Sequence, residues 1–260
     1  MSSSSADVQS WAAQLARARR DRVTRAPITD TVPLTLADAY AIQDALTRGR
    51  LAAGERIVGW KLGYTSLAMR TQMGIEQPNF GPLTDAMLLA DDSTVSTELI
   101  HPRVEPEIGL RFGRPLEGDI AVGDVLAAVA EVFACLEVVD SVYADYRFRL
   151  EDNTADGSSA AQVVVGPALT ECDRLDEVTV VMRHNGEEVG SATGAAASGH
   201  PAAGVVWLAA QLARSGRRIE AGDIVITGGL TRAVPLRAGD DVEAVFGGRT
   251  RVRVRGLLAR

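Results

Sequence analysis

Two glutamates stand two residues apart in a segment with the alternating pattern of a β-strand. Glu105 and Glu107 lie within residues 104–112, where the positions between and around them are apolar. Because successive side chains of a strand point to opposite faces, we expect both carboxylates on one face of a sheet. Two adjacent carboxylates can ligate a hard cation, or they can form the wet side of an amphipathic strand. The pair alone leaves both interpretations open.

Two further ionisable residues interrupt apolar segments. Glu137 lies within 132–139 and Lys61 within 57–65. A buried, unpaired carboxylate costs several kcal/mol, so Glu137 must be paired, protonated or bound to a metal. One solution is a buried ion pair with Lys61. The other places Glu137 with Glu105 and Glu107 around one hard cation, for which all-oxygen ligation with open positions favours Mg²⁺ or Mn²⁺. Lys61 would then bind a substrate carboxylate or move protons, with its pKa lowered by burial and the cation.

Several common chemistries leave no motif in the sequence. There is no P-loop, no Gly-x-Ser-x-Gly and no Cys-x-x-Cys, and the three histidines are scattered, which argues against phosphoryl transfer, serine hydrolysis and zinc. The 260 residues carry a formal net charge of −7 without a basic cluster, so we expect neither nucleic acid nor a membrane surface as partner. No apolar stretch approaches the roughly 20 residues of a membrane span. The only cysteines, Cys135 and Cys172, cannot form a disulfide framework, which favours the cytoplasm.

The elements that must position these residues change in character along the chain. An amphipathic pattern predicts a helix over 7–20, and Thr35 followed by Asp38 is typical of a helix N-cap. After the strand that carries Lys61, β patterns predominate, interrupted by a helix that begins at Pro201. The later predicted strands are 104–112, 132–139, 161–165, 178–182, 187–190, 224–227, 242–246 and 251–255. This order predicts an α+β fold, with a helical N-terminal region (1–80) and a mixed, mostly antiparallel, β-rich catalytic core (81–260) in one compact unit.

Several segments, in one order along the chain, resemble a known family. They are residues 59–66 (GWKLGYTS), 74–81 (GIEQPNFG), 102–108 (PRVEPEI), 136–141 (LEVVDS), 155–156, Ser159, 199–201 and 221–229. These segments resemble the 2-keto-4-pentenoate hydratase and 4-oxalocrotonate decarboxylase family of the fumarylacetoacetate hydrolase superfamily. The resemblance extends from about Leu36 to the end of the chain.

The resemblance implies a β-roll core and a divalent cation, Mg²⁺ or Mn²⁺, held by Glu105, Glu107 and Glu137. It implies a short 2-keto-enoic or 2-hydroxydienoic acid from meta-cleavage of aromatic rings as the small-molecule substrate. A 2-keto acid could chelate the cation, which would stabilise the enolate formed when a proton moves or carbon dioxide leaves. Lys61 would bind the acid or transfer a proton, and Ser159 would hydrogen-bond it. The family forms homo-oligomers, and its decarboxylases and hydratases can associate, so a related pathway enzyme is a candidate partner.

The choice between decarboxylase and hydratase depends on the residue at position 79. Hydratases of the family carry Asp where this chain has Asn79, and Asn79 cannot ionise, which favours the decarboxylase. Gln77 and Pro78 are closer to the hydratases, and Gly157 stands where the family has Asn. Two other functions stay open. One is a metal-independent Schiff-base aldolase that uses Lys61. The other is a non-catalytic keto-acid-binding homologue or partner subunit.

Overall fold

The computed structural model describes residues 5–95, 98–170 and 174–257, so Cys172 lies outside the described residues. In these ranges the α-helices are α1 (Ser5–Asp21), α2 (Leu36–Ala52), α3 (Leu67–Met73), α4 (Val122–Ala128), α5 (Leu150–Ala155) and α6 (Pro201–Ala213). The strands are β1 (Ile57–Gly63), β2 (Asn79–Thr84), β3 (Leu88–Ala90), β4 (Ser93–Thr94), β5 (Arg103–Phe112), β6 (Val129–Val139), β7 (Ala160–Ala168), β8 (Thr179–His184), β9 (Glu187–Thr193), β10 (Ile224–Ile226), β11 (Val234–Pro235), β12 (Asp241–Phe246) and β13 (Thr250–Arg255).

The N-terminal helices form where the sequence predicts them, and their apolar stripes hold them together. The Thr35 hydroxyl accepts a hydrogen bond from Asp38 N, and the Asp38 carboxylate accepts one from Thr35 N, which is a capping box at the start of α2. Leu15 of α1 and Ile42 of α2 are fully buried in one hydrophobic cluster, which also contains Tyr143. This cluster packs the helical part against the segment that follows β6.

The strands form two sheets. The larger, curled sheet has the order β2-β1-β10-β5-β6-β7-β3, with β11 paired to β5. The smaller sheet has the order β4-β13-β12-β8-β9. The pairs β1/β10, β3/β7 and β4/β13 are parallel and the other pairs are antiparallel. The predicted α+β fold with a mixed, mostly antiparallel β core is therefore confirmed.

Alternation along β5 separates the main core from the functional face. Val104, Ile108 and Leu110 are fully buried in the hydrophobic cluster that also contains residues of the smaller sheet and of α6. The register of β5 with β6 runs without a shift from Arg103 to Arg111, so the odd-numbered residues of β5 share the opposite face. This face carries the predicted ligands Glu105 and Glu107, and it is called the functional face of β5.

The predicted division at residues 80 and 81 falls within β2, and β1 lies in the larger sheet although it precedes this division. The division into the regions 1–80 and 81–260 stays a prediction. Among the described residues, no helix is long and apolar enough to span a membrane.

Candidate active site and metal centre

The three predicted glutamates converge at the centre of the larger sheet. Glu105 of β5 is the direct cross-strand neighbour of Glu137 of β6, and Glu107 follows two residues later on the face of Glu105. Each residue offers one carboxylate oxygen, and these oxygens lie within 4.8 Å of one another. Glu107 and Glu137 are fully buried, whereas Glu105 is half-buried. The interpretation of the pair as the wet side of a strand is therefore wrong for Glu107.

Lys61 reaches the same place from β1. Its Nζ lies 3.0 Å from Glu137 Oε2 and donates a hydrogen bond of 3.1 Å to the Ser158 carbonyl oxygen. The side chain is almost fully buried, so the ion pair proposed from the sequence as an alternative is present. It coexists with the cluster of three carboxylates, because only one oxygen of Glu137 faces the lysine.

The oxygen atoms of this cluster fit a divalent cation. Glu107 Oε1 and Glu137 Oε1 are buried without a hydrogen-bond partner among the described residues, which is costly unless a ligand satisfies them. Burial and the charge of Glu137 raise the pKa of Glu105 to about 7, although Lys61 lowers it. Burial, the charge of Glu137 and the charge of Glu105 raise the pKa of Glu107 well above its usual range. Carboxylate oxygens are the ligands that Mg²⁺ and Mn²⁺ prefer. When all three glutamates are ionised, Lys61 balances one of their charges and a divalent cation would balance the other two.

In the protein without a cation, the pKa of Lys61 is set by burial and by the neighbouring carboxylates. Burial lowers the pKa of Lys61, as predicted, but the neighbouring glutamates, Glu137 foremost, outweigh burial and raise the pKa on balance. The lowered pKa predicted from the sequence concerns Lys61 beside a bound cation, and it stays a prediction. In the protein alone Lys61 is therefore a firmly protonated donor.

Two glycines after β10 allow the backbone to approach the carboxylates. Gly228 N donates a hydrogen bond of 2.6 Å to Glu107 Oε2, and its φ of +105° is a conformation that side chains rarely adopt. A Cβ on Gly229 would lie only 2.2 Å from Glu105 Oε2. Reasoning from the sequence used these residues for the family resemblance and missed their contact with the ligand set. Consecutive glycines directly after a strand are the signal that could have indicated it.

Asn79 is fully engaged in hydrogen bonds at the first residue of β2. Its Nδ2 donates to Asn153 Oδ1 (2.9 Å) and to Thr154 Oγ1 (3.0 Å), and its Oδ1 accepts from Ser158 Oγ (2.9 Å). Asn153 Nδ2 also donates to Ser159 Oγ (2.9 Å). Hydrogen bonds thus link the predicted residues Asn79 and Ser159 through Asn153, and Ser158 links this network to Lys61. Asn153, Thr154 and Ser158 were not predicted as site residues.

The turn 157–159 has a left-handed backbone, with φ of +72°, +58° and +56° at Gly157, Ser158 and Ser159. Gly157 therefore suits its position, because glycine and asparagine are the residues that tolerate this conformation best. Helix α1 supports the turn: Arg19 Nη2 contacts Asp156 Oδ1 at 2.7 Å and donates to the Asp156 carbonyl oxygen at 2.8 Å. Burial raises the pKa of Asp156 to about 6, although Arg19 lowers it.

The chain is similar in sequence to a known family and to known proteins. Residues 56–255 match the fumarylacetoacetate (FAA) hydrolase C-terminal family. The chain is 40% identical over 233 residues to a 4-oxalocrotonate decarboxylase of Pseudomonas sp. (strain CF600), covering 88% of each chain. It is 38% identical over 248 residues to a 2-hydroxyhexa-2,4-dienoate hydratase of Comamonas testosteroni, covering 93% of this chain and 94% of the relative.

A solved structure is similar over nearly the whole chain. It is the 4-oxalocrotonate decarboxylase of Pseudomonas putida G7, complexed with magnesium and adipate, with a TM-score of 0.94 and 36% sequence identity. The match covers 98% of this chain and 99% of that one. Together with the sequence matches, it shows that the chain belongs to the fumarylacetoacetate hydrolase family.

Proposed function

We propose that this protein is a divalent-metal-dependent lyase that decarboxylates a short 2-keto-enoic acid of the 4-oxalocrotonate type. The observation that carries the proposal is the cluster of Glu105, Glu107 and Glu137 beside Lys61, with two buried carboxylate oxygens that lack a partner among the described residues. Relatives named 4-oxalocrotonate decarboxylase support it at 40% identity. Such a function places the enzyme in the catabolism of aromatic rings.

The cation that the three glutamates would hold supplies a Lewis acid, which stabilises negative charge on a 2-oxo oxygen. Lys61 uses two of its three donors, on Glu137 and on the Ser158 carbonyl oxygen, so its third N–H binds the substrate carboxylate or protonates the enolate oxygen. Ser159 Oγ accepts from Asn153, which leaves the Ser159 proton for a hydrogen bond to the substrate.

Decarboxylation of 2-oxo-3-hexenedioate needs stabilisation of a dienolate and no acid at the far end of the substrate. The C5–C6 bond breaks and carbon dioxide leaves. The electron pair passes through C5, C4 and C3 to the 2-oxo oxygen, which takes up a proton and gives 2-hydroxypenta-2,4-dienoate. In this scheme Asn79 is a positioning residue, because its amide holds Ser158, whose carbonyl oxygen fixes Lys61.

A hydratase is the second candidate, because a relative that is 38% identical over most of its length is named a hydratase. Hydration would require a group that moves a proton at the far end of the substrate. Asn79 cannot ionise, and its donors and acceptor are already engaged, which favours the decarboxylase.

Metal-dependent turnover tests the proposal. Protein stripped with a chelator is given Mg²⁺ and offered 2-oxo-3-hexenedioate or 2-hydroxypenta-2,4-dienoate, while substrate absorbance and carbon dioxide are followed. We expect carbon dioxide from the dicarboxylate only when Mg²⁺ is restored. Loss of the dienoate without carbon dioxide would identify a hydratase. Full activity without metal would support the Schiff-base aldolase. Inactivity on both compounds would favour either a different keto acid as substrate or a non-catalytic homologue.

The assembly and the location of the protein belong to the same proposal. We expect a homo-oligomer in the cytoplasm, with a related pathway enzyme as a candidate partner. Light scattering of the purified protein, alone and mixed with the hydratase of the same pathway, measures both kinds of association.

A further inference from the structure

Arg103 lies on the functional face of β5, at the end of the strand next to the glutamates. It precedes Glu105 by two residues without a register shift, so its side chain starts from the same face of the sheet. Its guanidinium carbon lies 4.2 Å from the ring centroid of Tyr146. The residue is half-buried.

Tyr146 is a fixed platform for this guanidinium. Its hydroxyl donates to the Val139 carbonyl oxygen at 2.9 Å and lies 3.2 Å from the His101 carbonyl oxygen. The His101 ring stacks on Tyr146 with centroids 4.8 Å apart, and His101 Nε2 is 2.8 Å from the Ser141 carbonyl oxygen. A guanidinium stacked on a fixed aromatic face keeps its N–H edge available for a planar anion such as a carboxylate.

Within the described part of the chain, Arg103 has no carboxylate partner. Arg111 provides the comparison, because it lies on the same face of the same strand and also over an aromatic ring, that of Phe133 at 5.6 Å. Arg111 Nε, however, donates to Glu131 Oε2 at 2.8 Å. Glu131 thus compensates the charge of Arg111, whereas Arg103 is free to bind an anion.

Charge and spacing indicate which anion Arg103 would bind. One divalent cation together with Lys61 balances the three glutamates, so a substrate with two carboxylates brings negative charge that the centre does not neutralise. Two residues along a strand span about 6.8 Å. The terminal carbons of an extended six-carbon chain are about 6 Å apart. The backbone spacing between Glu105 and Arg103 therefore matches the length of a six-carbon dicarboxylate whose 2-oxo end is bound at the glutamates.

We propose that Arg103, stacked on Tyr146, binds the distal carboxylate of a six-carbon 2-oxo dicarboxylic acid. The proposal rests on the proposed function, and it adds a residue that selects dicarboxylates over monocarboxylates. The distal carboxylate leaves as neutral carbon dioxide, so its bond to Arg103 is made in the bound substrate and weakens in the transition state. Arg103 therefore acts mainly on substrate binding and on KM.

Two unreactive ligands that differ in one group test the subsite. Both 2-oxoadipate and 2-oxohexanoate are saturated 2-oxo acids with six carbons, and only the former has a distal carboxylate. Their dissociation constants are measured by calorimetry with and without Mg²⁺ for the wild type, Arg103→Met and Arg103→Lys. Arg111→Met is the matched control, and circular dichroism verifies that each variant is folded. The KM for 2-oxo-3-hexenedioate is measured in parallel.

We expect the wild type to bind 2-oxoadipate about tenfold more tightly than 2-oxohexanoate, as one charge-assisted interaction predicts. Arg103→Met should abolish this preference and raise the KM about tenfold, Arg103→Lys should keep part of the preference, and Arg111→Met should keep all of it. Equal binding of both ligands by the wild type, or equal weakening of both by Arg103→Met, would overturn the subsite and leave the proposed function standing. If neither ligand bound with Mg²⁺, the proposed function would fail together with the subsite.

Discussion

The ion pair between Arg19 and Asp156 joins the N-terminal helix to the turn 157–159. Arg19 Nη2 contacts both the carboxylate and the carbonyl oxygen of Asp156, whose side chain is fully buried. Asp156 also accepts a hydrogen bond from Val142 N. We predict that Arg19→Met destabilises the protein by an amount that grows with pH.

The pKa of Asp156 gives the magnitude. Burial raises it from 3.8 to about 6 in the folded protein. Between about pH 4 and pH 6 the native state therefore keeps a proton that the unfolded chain has released, and stability falls as pH rises through this window. Without Arg19 the pKa of Asp156 rises further, so the stability of the variant continues to fall with pH above pH 6. At about 1.4 kcal/mol per pH unit above the wild-type pKa, the additional loss is close to zero at pH 5, at most about 1.4 kcal/mol at pH 7 and at most about 2.7 kcal/mol at pH 8.

Urea unfolding at pH 5, 7 and 8 measures this dependence, in chelator and at one protein concentration because association would change the apparent stability. The lost hydrogen bond to the Asp156 carbonyl oxygen adds about 1 kcal/mol at every pH. Arg17→Met is the control, because Arg17 lies on the same helix in an exposed pair with Asp21, and it should cost less than about 0.5 kcal/mol. A loss for Arg19→Met that is equal at pH 5 and pH 8 would refute the reasoning.

Three further predictions concern the metal centre and its surroundings. Glu137→Gln should weaken Mg²⁺ binding at least about 100-fold by calorimetry, whereas Glu131→Gln on the same strand should not, and equal effects would contradict the assigned ligand set. Gly229→Ala should weaken Mg²⁺ binding about tenfold, because its Cβ would lie 2.2 Å from Glu105 Oε2 and the carboxylate would have to move, and unchanged affinity would show that this position of the Glu105 carboxylate is not needed for ligation. Burial raises the pKa of the Cys135 thiol well above its usual range. Iodoacetamide at pH 8 should therefore leave Cys135 unmodified in native protein and alkylate it in urea, as peptide mass spectrometry can measure, and rapid native labelling would contradict this.

The features that depend on a single strand or helix could be predicted from the sequence. Alternation alone places Glu105 and Glu107 on one face, and an apolar run alone indicates that Glu137 is buried. The capping box at Thr35 and the helix that begins at Pro201 are equally local and are also confirmed. Each of these predictions needs only the backbone period or a contact between residues close in the chain.

The features that could not be predicted depend on contacts between distant segments. The pairing of Glu105 with Glu137 needs the register of β5 with β6, which helix α4 separates in sequence. The contact of Arg19 with Asp156 joins residues 137 positions apart. Neither has a local sequence pattern, because register and docking are set by the packing of the whole sheet.

The ion pair and the cation site are two consequences of one arrangement of charges. A carboxylate has two oxygens, and in Glu137 one faces Lys61 while the other has no hydrogen-bond partner among the described residues. The lysine lowers the pKa of Glu105 and Glu107 against the effect of burial. It therefore favours the ionised form of carboxylates that burial alone would protonate, and the ionised form is the one that ligates a hard cation. Because one ammonium cannot balance three ionised carboxylates, Glu105 and Glu107 are ionised together only when protons are replaced by a cation. A buried ion pair in this position is thus an argument for the metal site and not an alternative to it.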